Sequence, residues 1–202
     1  MHSIYADKRR LSDMVLRLYE LVDRLLSLVM EGKKSSLGRV EELSVSAEEY
    51  RNVISNEAVL FIARYQPLAG DLLWAEGVIS VAYDLYRVAR YAREIAILSD
   101  HIGGLKGNVN DDVLESLEVA RAMLKLSVEA FVGGKGELVE EVIKRDSMVD
   151  DVYHRYLALL GKEEPLSTRD AASLLLARHV ERIADHATYI AMSASRIARS
   201  SL

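Results

Sequence analysis

The chain has very few residues that interrupt a helix, and they fall in clusters. Only two of its 202 residues are proline, and most glycines gather at residues 32–38, 66–70, 103–107, 133–136 and 161–165. Proline breaks a helix interior and glycine weakens one, so long helices are expected between these clusters. The pattern predicts six helices, at about residues 5–31, 38–65, 68–101, 110–133, 136–160 and 167–200.

The last of these segments has the clearest helical periodicity. Its apolar residues recur at alternating spacings of four and three, which is typical of a helix that buries one seam against its neighbours. Ser167, followed by Asp170, predicts a cap at its start, and Asn110 predicts a cap for the fourth helix. The seam consists of Leu176, Val180, Ile183, Ala187, Ile190, Ala194 and Ile197.

The six segments divide into two sets of three around the glycine-rich joint at residues 103–107. Residues 84–96 align without gaps on residues 179–191, with five identities in thirteen positions. Such self-similarity at the end of each half indicates an internal duplication. We therefore predict an all-α protein built of two tandem antiparallel three-helix bundles, residues 1–104 and 105–202.

Composition excludes several functional classes. The chain has no cysteine, so disulfides, thiolate nucleophiles and cysteine-based zinc sites are excluded. Its net charge of -5 is spread over both halves, which argues against nucleic-acid binding. It has no phosphate-binding glycine loop, no signal-peptide pattern and no apolar run that could cross a bilayer. We expect a cytoplasmic protein whose membrane contact, if any, is peripheral and made through a partner.

Two pairs of acidic residues have the spacing that places both members on one side of a helix. They are Asp146 with Asp150 in the fifth helix and Glu181 with Asp185 in the sixth. Like charges at this spacing repel each other. Both pairs lie on the shoulder beside the apolar seam, so four carboxylates could face one groove between antiparallel helices. Oxygen ligands of this kind suit magnesium, manganese, iron or zinc.

Two histidines stand close to these acids. His154 follows Asp150 by four residues and His186 is next to Asp185, so either could add an imidazole ligand. The alternative is that the acids form an ordinary solvated surface. In that case we expect the salt bridges Asp151–Arg155 and Glu181–Arg178.

Three stretches of the sequence resemble the PhoU family, whose members regulate phosphate uptake and phosphate-dependent signalling. ERIADHATYIA, from Glu181, is similar to the most characteristic stretch of that family. RDSMVDDVY, residues 145–153, fits its companion pattern, and QPLAGDLL, residues 66–73, resembles a motif of its first half. The resemblance spans nearly the whole chain and implies two three-helix bundles, each able to bind a multinuclear iron or zinc cluster.

The resemblance assigns the metal ligands of the second half to Asp146, Asp150, Glu181 and Asp185. The first half departs from the family pattern at the corresponding positions. Only one of the four positions there is acidic, and one carries a positive charge. We therefore predict that the first site is lost. The four positions of the first half that correspond to the predicted metal ligands are Ser44, Glu48, Tyr86 and Arg90.

An arginine stripe accompanies this loss. Arg87, Arg90 and Arg93 are neighbours on one helix face, and they could contact an anion or a partner protein. The simpler interpretation, which we favour, is a solvated basic edge.

The resemblance implies a non-catalytic regulator that contacts a phosphate transporter and, in some cases, a sensor histidine kinase. The transporter would be an ABC importer, contacted at its ATPase, or, in the related Pit-accessory group, a Pit-type permease. A homodimer is compatible with the sequence. One enzymatic alternative is an all-α metal-dependent nucleotide pyrophosphohydrolase, although such sites space their acids by three residues and this chain spaces them by four.

Overall fold

The computed structural model describes residues 3–31 and 37–200. Those residues form six long helices and no strand, as predicted. Residues 32–36, where the first helix break was predicted, lie outside the described residues. The helices are α1 (Ile4–Glu31), α2 (Leu37–Tyr65), α3 (Ala69–Ile102), α4 (Asp111–Gly133), α5 (Val139–Leu157) and α6 (Thr168–Ser200).

The helices pack as two three-helix bundles. Helices α1, α2 and α3 pack against one another, and α4, α5 and α6 do the same. The seam predicted for α6 faces the core: six of its seven residues are buried and Ile197 is partly buried. Burial of these apolar side chains is the main driving force that holds each bundle together. The predicted fold class is confirmed.

Helix α5 is shorter than predicted at both ends. Short 3-10 helices flank it at Gly136–Leu138 and Ala158–Gly161. Gly134, which ends α4, has φ = +64°. This left-handed conformation is easy for glycine and forces the chain to change direction before α5 can begin.

Of the two predicted caps, one has the expected hydrogen bonds. Ser167 Oγ accepts the backbone N–H of Asp170 at 3.0 Å and donates to its carboxylate at 2.6 Å. Asn110 precedes α4, but its side chain makes no capping bond. It occupies the predicted N-cap position of α4, but its side chain donates to Asp170 Oδ1 at 3.0 Å rather than to the first turn of the helix.

The two bundles meet where α3 and α6 cross in antiparallel directions. His186 Nδ1 lies 2.8 Å from Asp84 Oδ1, and the rings of Tyr91 and His179 lie 6.1 Å apart. In the self-alignment Asp84 corresponds to His179 and Tyr91 to His186. Exchanging the two halves therefore exchanges the two contacts. The interface has pseudo-two-fold symmetry, and equivalent positions of the two bundles can be compared directly.

Other contacts also join the bundles. Arg121 of α4 forms a two-pronged salt bridge with Asp23 of α1, with N–O distances of 2.6 and 2.8 Å. Gly77 of α3 gives room to Phe131 of α4, because a Cβ at this position would lie 2.9 Å from the Phe131 ring. None of the described helices is long and apolar enough to span a membrane.

Candidate metal centre

The four predicted metal ligands lie on the facing helices α5 and α6. Each helix contributes two acids one turn apart, because residues four apart stack on one side of a helix. Asp146, Asp150 and Asp185 are partly buried, and Glu181 is buried. All four occupy the edge of the apolar core rather than its interior.

The carboxylates influence one another across the two helices. Burial raises the pKa of Asp146, and the nearby charge of Asp150 raises it further. Burial also raises the pKa of Asp150 and of Glu181, and in both cases the charge of Asp185 adds to the effect. Raised pKa values mean that the site favours neutralisation by a proton or a cation.

Two arginines of α6 provide part of that neutralisation. Arg178 Nη1 lies 2.8 Å from Glu181 Oε2, which confirms the predicted salt bridge. Arg182 is shared between two acids, with Nε 3.2 Å from Glu181 Oε2 and Nη1 3.0 Å from Asp185 Oδ2. These guanidinium groups stand beside half of the predicted ligand set and would compete with a metal ion.

Asp146, one of the other two predicted ligands, has an oxygen atom that could bind a metal ion. Asp146 Oδ1 is buried and makes no well-formed hydrogen bond in the described structure, although the nearby Thr188 hydroxyl acts to lower the pKa of this carboxyl. An unpaired buried oxygen is costly unless it is paired with a cation or a donor. In the described side-chain positions no three acids or histidines converge on one point where they could hold a metal ion. The donor chemistry fits a cation, but binding would require the carboxylates to turn and Arg182 to withdraw.

The two neighbouring histidines have other contacts. His154 is exposed, and its Nδ1 lies 2.9 Å from the backbone oxygen of Asp150. His186 points toward Asp84 in the first bundle, away from the carboxylates of its own helix. We therefore find no support for His186 as an additional ligand.

Arg155 forms a different salt bridge from the one predicted. Arg155 Nη2 lies 2.8 Å from Asp112 Oδ2 on α4, so the predicted Asp151–Arg155 salt bridge is wrong. Arg155 can reach across to α4 because α4 and α5 pack side by side. The sequence spacing alone could not show that a partner on another helix was closer.

The sequence analysis missed two residues near the carboxylates. Arg182 was not identified as a competitor, although its spacing of three from Asp185 could have shown it. Tyr189 follows Asp185 by one turn, and the charge of Asp185 raises the pKa of its hydroxyl. Tyr189 also lines a cavity of about 540 Å³ between α2, α3 and α6.

The corresponding positions of the first bundle are mostly not acidic. All four of its predicted positions, Ser44, Glu48, Tyr86 and Arg90, line one groove of about 350 Å³ between α2 and α3. A single acid among the four leaves too few oxygen ligands for a metal cluster. Loss of this first metal site remains a prediction.

Comparison with known proteins places the chain in a family. The family profile described as PhoU domain matches residues 9–98 and 113–194, one match in each bundle. A phosphate-specific transport system accessory protein PhoU homolog from Aquifex aeolicus is 28% identical over 190 residues, covering 89% of this chain and 85% of the relative. The homolog of the same description from Synechocystis is 26% identical over 197 residues, covering 94% and 88%.

Solved structures show the same fold. The crystal structure of PhoU from Pseudomonas aeruginosa superimposes with a TM-score of 0.86 at 21% identity, covering 98% of this chain and 99% of that one. A regulatory protein PhoU of the Streptococcus pneumoniae phosphate transport system gives 0.84 at 18% identity, covering 96% of each chain. With two domain matches that together span most of its length, this chain belongs to the PhoU family.

Proposed function

We propose that this protein is a non-catalytic, cytoplasmic accessory protein of a phosphate-specific transport system. The observation that carries the proposal is the match of the PhoU domain to both bundles. The relatives from Aquifex aeolicus and Synechocystis, each matched over most of its length, are described as accessory proteins of such a system. An accessory protein of this kind acts by binding, so it needs no catalytic group.

The partner we propose is the ATPase of an ABC-type phosphate importer, with a sensor histidine kinase as a second partner. Affinity purification of the tagged full chain from solubilised membranes of its host tests this directly. We expect the importer ATPase among the recovered proteins, in phosphate-rich cells above all. Recovery of a Pit-type permease instead would assign the protein to the Pit-accessory group, and recovery of no phosphate transporter would contradict the proposal.

We further propose that the second bundle binds a metal ion, iron or zinc, or a cluster of such ions, through Asp146, Asp150, Glu181 and Asp185. The support is the raised pKa of three of these acids and the burial of Asp146 Oδ1 without a well-formed hydrogen bond. A bound cation would neutralise this acidic surface and could bridge it to an anionic group of a partner. Arg182 would release Glu181 and Asp185 when the metal binds.

The non-catalytic character has its own test. Purified protein is incubated with a panel of nucleoside triphosphates and with magnesium or manganese, and release of phosphate or pyrophosphate is measured. We expect no turnover above that of a protein-free control. Turnover that disappears in Asp150→Asn would contradict the proposal and favour a metal-dependent pyrophosphohydrolase.

A further inference from the structure

Thr188 of α6 lies beside the candidate metal centre, although it is not one of the four predicted ligands. It follows Asp185 by three residues, so the two side chains lie on the same side of α6. Burial raises the pKa of Asp146, and the hydroxyl of Thr188 is close enough to act in the opposite direction. Because α5 and α6 pack against each other, Thr188 faces Asp146 across the groove between them.

Two buried polar atoms therefore lie near each other at this end of the groove. Asp146 Oδ1 and Thr188 Oγ1 are both shielded from water, and neither makes a well-formed hydrogen bond among the described residues. Each of these atoms is costly to leave unpaired. A threonine hydroxyl can donate one hydrogen bond, and an ionised carboxylate only accepts, so the two groups are complementary. A bond to one carboxylate oxygen leaves the other oxygen available to a cation.

Asp146 depends on this hydroxyl more than the other acids do. Burial is the largest influence on the pKa of Asp146, Asp150 and Glu181, and it raises all three. The positive charge of Arg182 opposes this effect at Asp150 and at Glu181. At Asp146 the opposing group is the hydroxyl of Thr188. Thr188 is thus the neighbour that favours an ionised and oriented Asp146.

The first bundle shows the same two positions side by side with different residues. In the self-alignment Thr188 corresponds to Arg93, and Ser44 is the position that corresponds to Asp146. Ser44 and Arg93 line one groove between α2 and α3, so the two positions are neighbours in both bundles. Where the acid is replaced by serine, the threonine is replaced as well. The pair of carboxylate and hydroxyl belongs to the second bundle.

We infer that Thr188 is a positioning residue of the metal centre, whose hydroxyl donates to Asp146 and holds that carboxylate in the orientation that a metal ion requires. Side chains that bind a metal ligand by a hydrogen bond fix its orientation, and their removal typically weakens metal binding roughly 10- to 100-fold. The inference rests on the metal site proposed above for the second bundle.

Titration of the full chain with zinc or ferrous iron, in competition with a chelator of known affinity, tests the inference. We expect Thr188→Val, which removes the hydroxyl with little change of shape, to weaken metal binding roughly tenfold. Thr188→Ser keeps the hydroxyl and should bind metal almost as tightly as wild type. Thr168→Val is the matched control, because Thr168 is exposed at the start of α6, and it should leave the affinity unchanged.

A combined variant shows whether Thr188 acts through Asp146. Asp146→Ala with Thr188→Val should bind metal no more weakly than Asp146→Ala alone, because the acceptor of the hydrogen bond is already lost. Three results would each overturn the inference while leaving the proposed metal site in place: wild-type affinity in Thr188→Val, equal weakening by valine and serine, or additive effects in the combined variant. Wild-type protein that binds neither metal would contradict the proposed metal site itself, and this inference with it.

Discussion

At the scale of single residues, Asp7 is a buried carboxylate in the first turn of α1. Tyr65 donates a hydrogen bond to Asp7 Oδ2 at 2.9 Å, and Arg64 Nη1 lies 2.8 Å from the same oxygen. The hydrogen bond from Tyr65 is the main cause that lowers the pKa of Asp7. A lowered pKa stabilises the fold above the ordinary value of about 3.9, and this stabilisation is lost as the pH falls through the folded-state value.

We therefore predict that Asp7→Asn is less stable than wild type near neutral pH. The difference should shrink as the pH falls below about 4, where the wild-type carboxylate becomes protonated. Urea unfolding at several pH values measures it. Asp13→Asn, which removes an exposed carboxylate from the same helix, is the control and should show no such dependence. An equal, pH-independent loss in both variants would contradict this role of Asp7.

Gly77 gives a second prediction at this scale. A Cβ there would lie 2.9 Å from the Phe131 ring and 3.2 Å from Ile197 Cδ1, so alanine must displace these side chains where the bundles meet. We expect Gly77→Ala to lower the free energy of unfolding by about 1 to 2 kcal/mol despite the higher helix propensity of alanine. In Gly38→Ala, which meets open space, stability should stay equal or rise slightly. Chemical denaturation measures the free energy of unfolding of both variants. A Gly77→Ala variant that is more stable than wild type would contradict the close approach of Gly77 to Phe131.

Arg182 is the residue whose role the sequence analysis did not predict. Its guanidinium pairs with both Glu181 and Asp185, so it competes directly with a bound cation. We predict that Arg182→Gln binds zinc or iron more tightly than wild type, by roughly fivefold, because it removes the guanidinium that pairs with both acids. Metal titration against a chelator of known affinity measures the change. Arg145→Gln removes a charge from α5 that, among the described residues, pairs with Glu141 and with none of the four predicted ligands, and it should have little effect.

At the scale of helices, the contact of α3 with α6 depends on the buried pair Asp84 and His186. Both residues are less than a tenth exposed, so neither can replace its partner by water without cost. In a double-mutant cycle with Asp84→Asn and His186→Gln, we expect a coupling energy of about 0.5 to 3 kcal/mol. Additive effects in urea unfolding would mean that the pair does not help to join the bundles.

The helices themselves were largely predictable, because proline and glycine interrupt them at few positions. The connection before α3 shows what was not predictable. Gln66 and Ala69 have φ of +43° and +48°, a left-handed conformation that neither residue type prefers. Pro67 indicated a break in the chain, but the neighbouring side chains gave no sign of this backbone strain. The partners of Arg155 and His186 were missed for a related reason, since both lie on helices distant in sequence.

At the scale of the whole molecule, both halves of the duplication form a three-helix bundle, and four acids of the second bundle correspond to only one acid in the first. Matching apolar positions in the two halves were sufficient to predict two bundles, because burial of a helix seam depends on pattern more than on particular residues. The pseudo-two-fold contact between α3 and α6 could not be predicted, because an alignment shows which residues correspond but not which ones touch. The acidic shoulder of the second bundle was predicted from spacing, whereas the burial of Asp146 Oδ1 required the structure.

The central claim is that only the second bundle binds metal, and the metal content of the purified chain tests it most directly. Protein purified without chelators and reconstituted with iron or zinc is analysed by elemental mass spectrometry. We predict bound metal in wild type, its loss in Asp150→Asn and Glu181→Gln, and full retention in Glu48→Gln, which removes the one acid among the four corresponding positions of the first bundle. Wild-type protein without metal, or metal that survives Glu181→Gln and is lost in Glu48→Gln, would contradict the account.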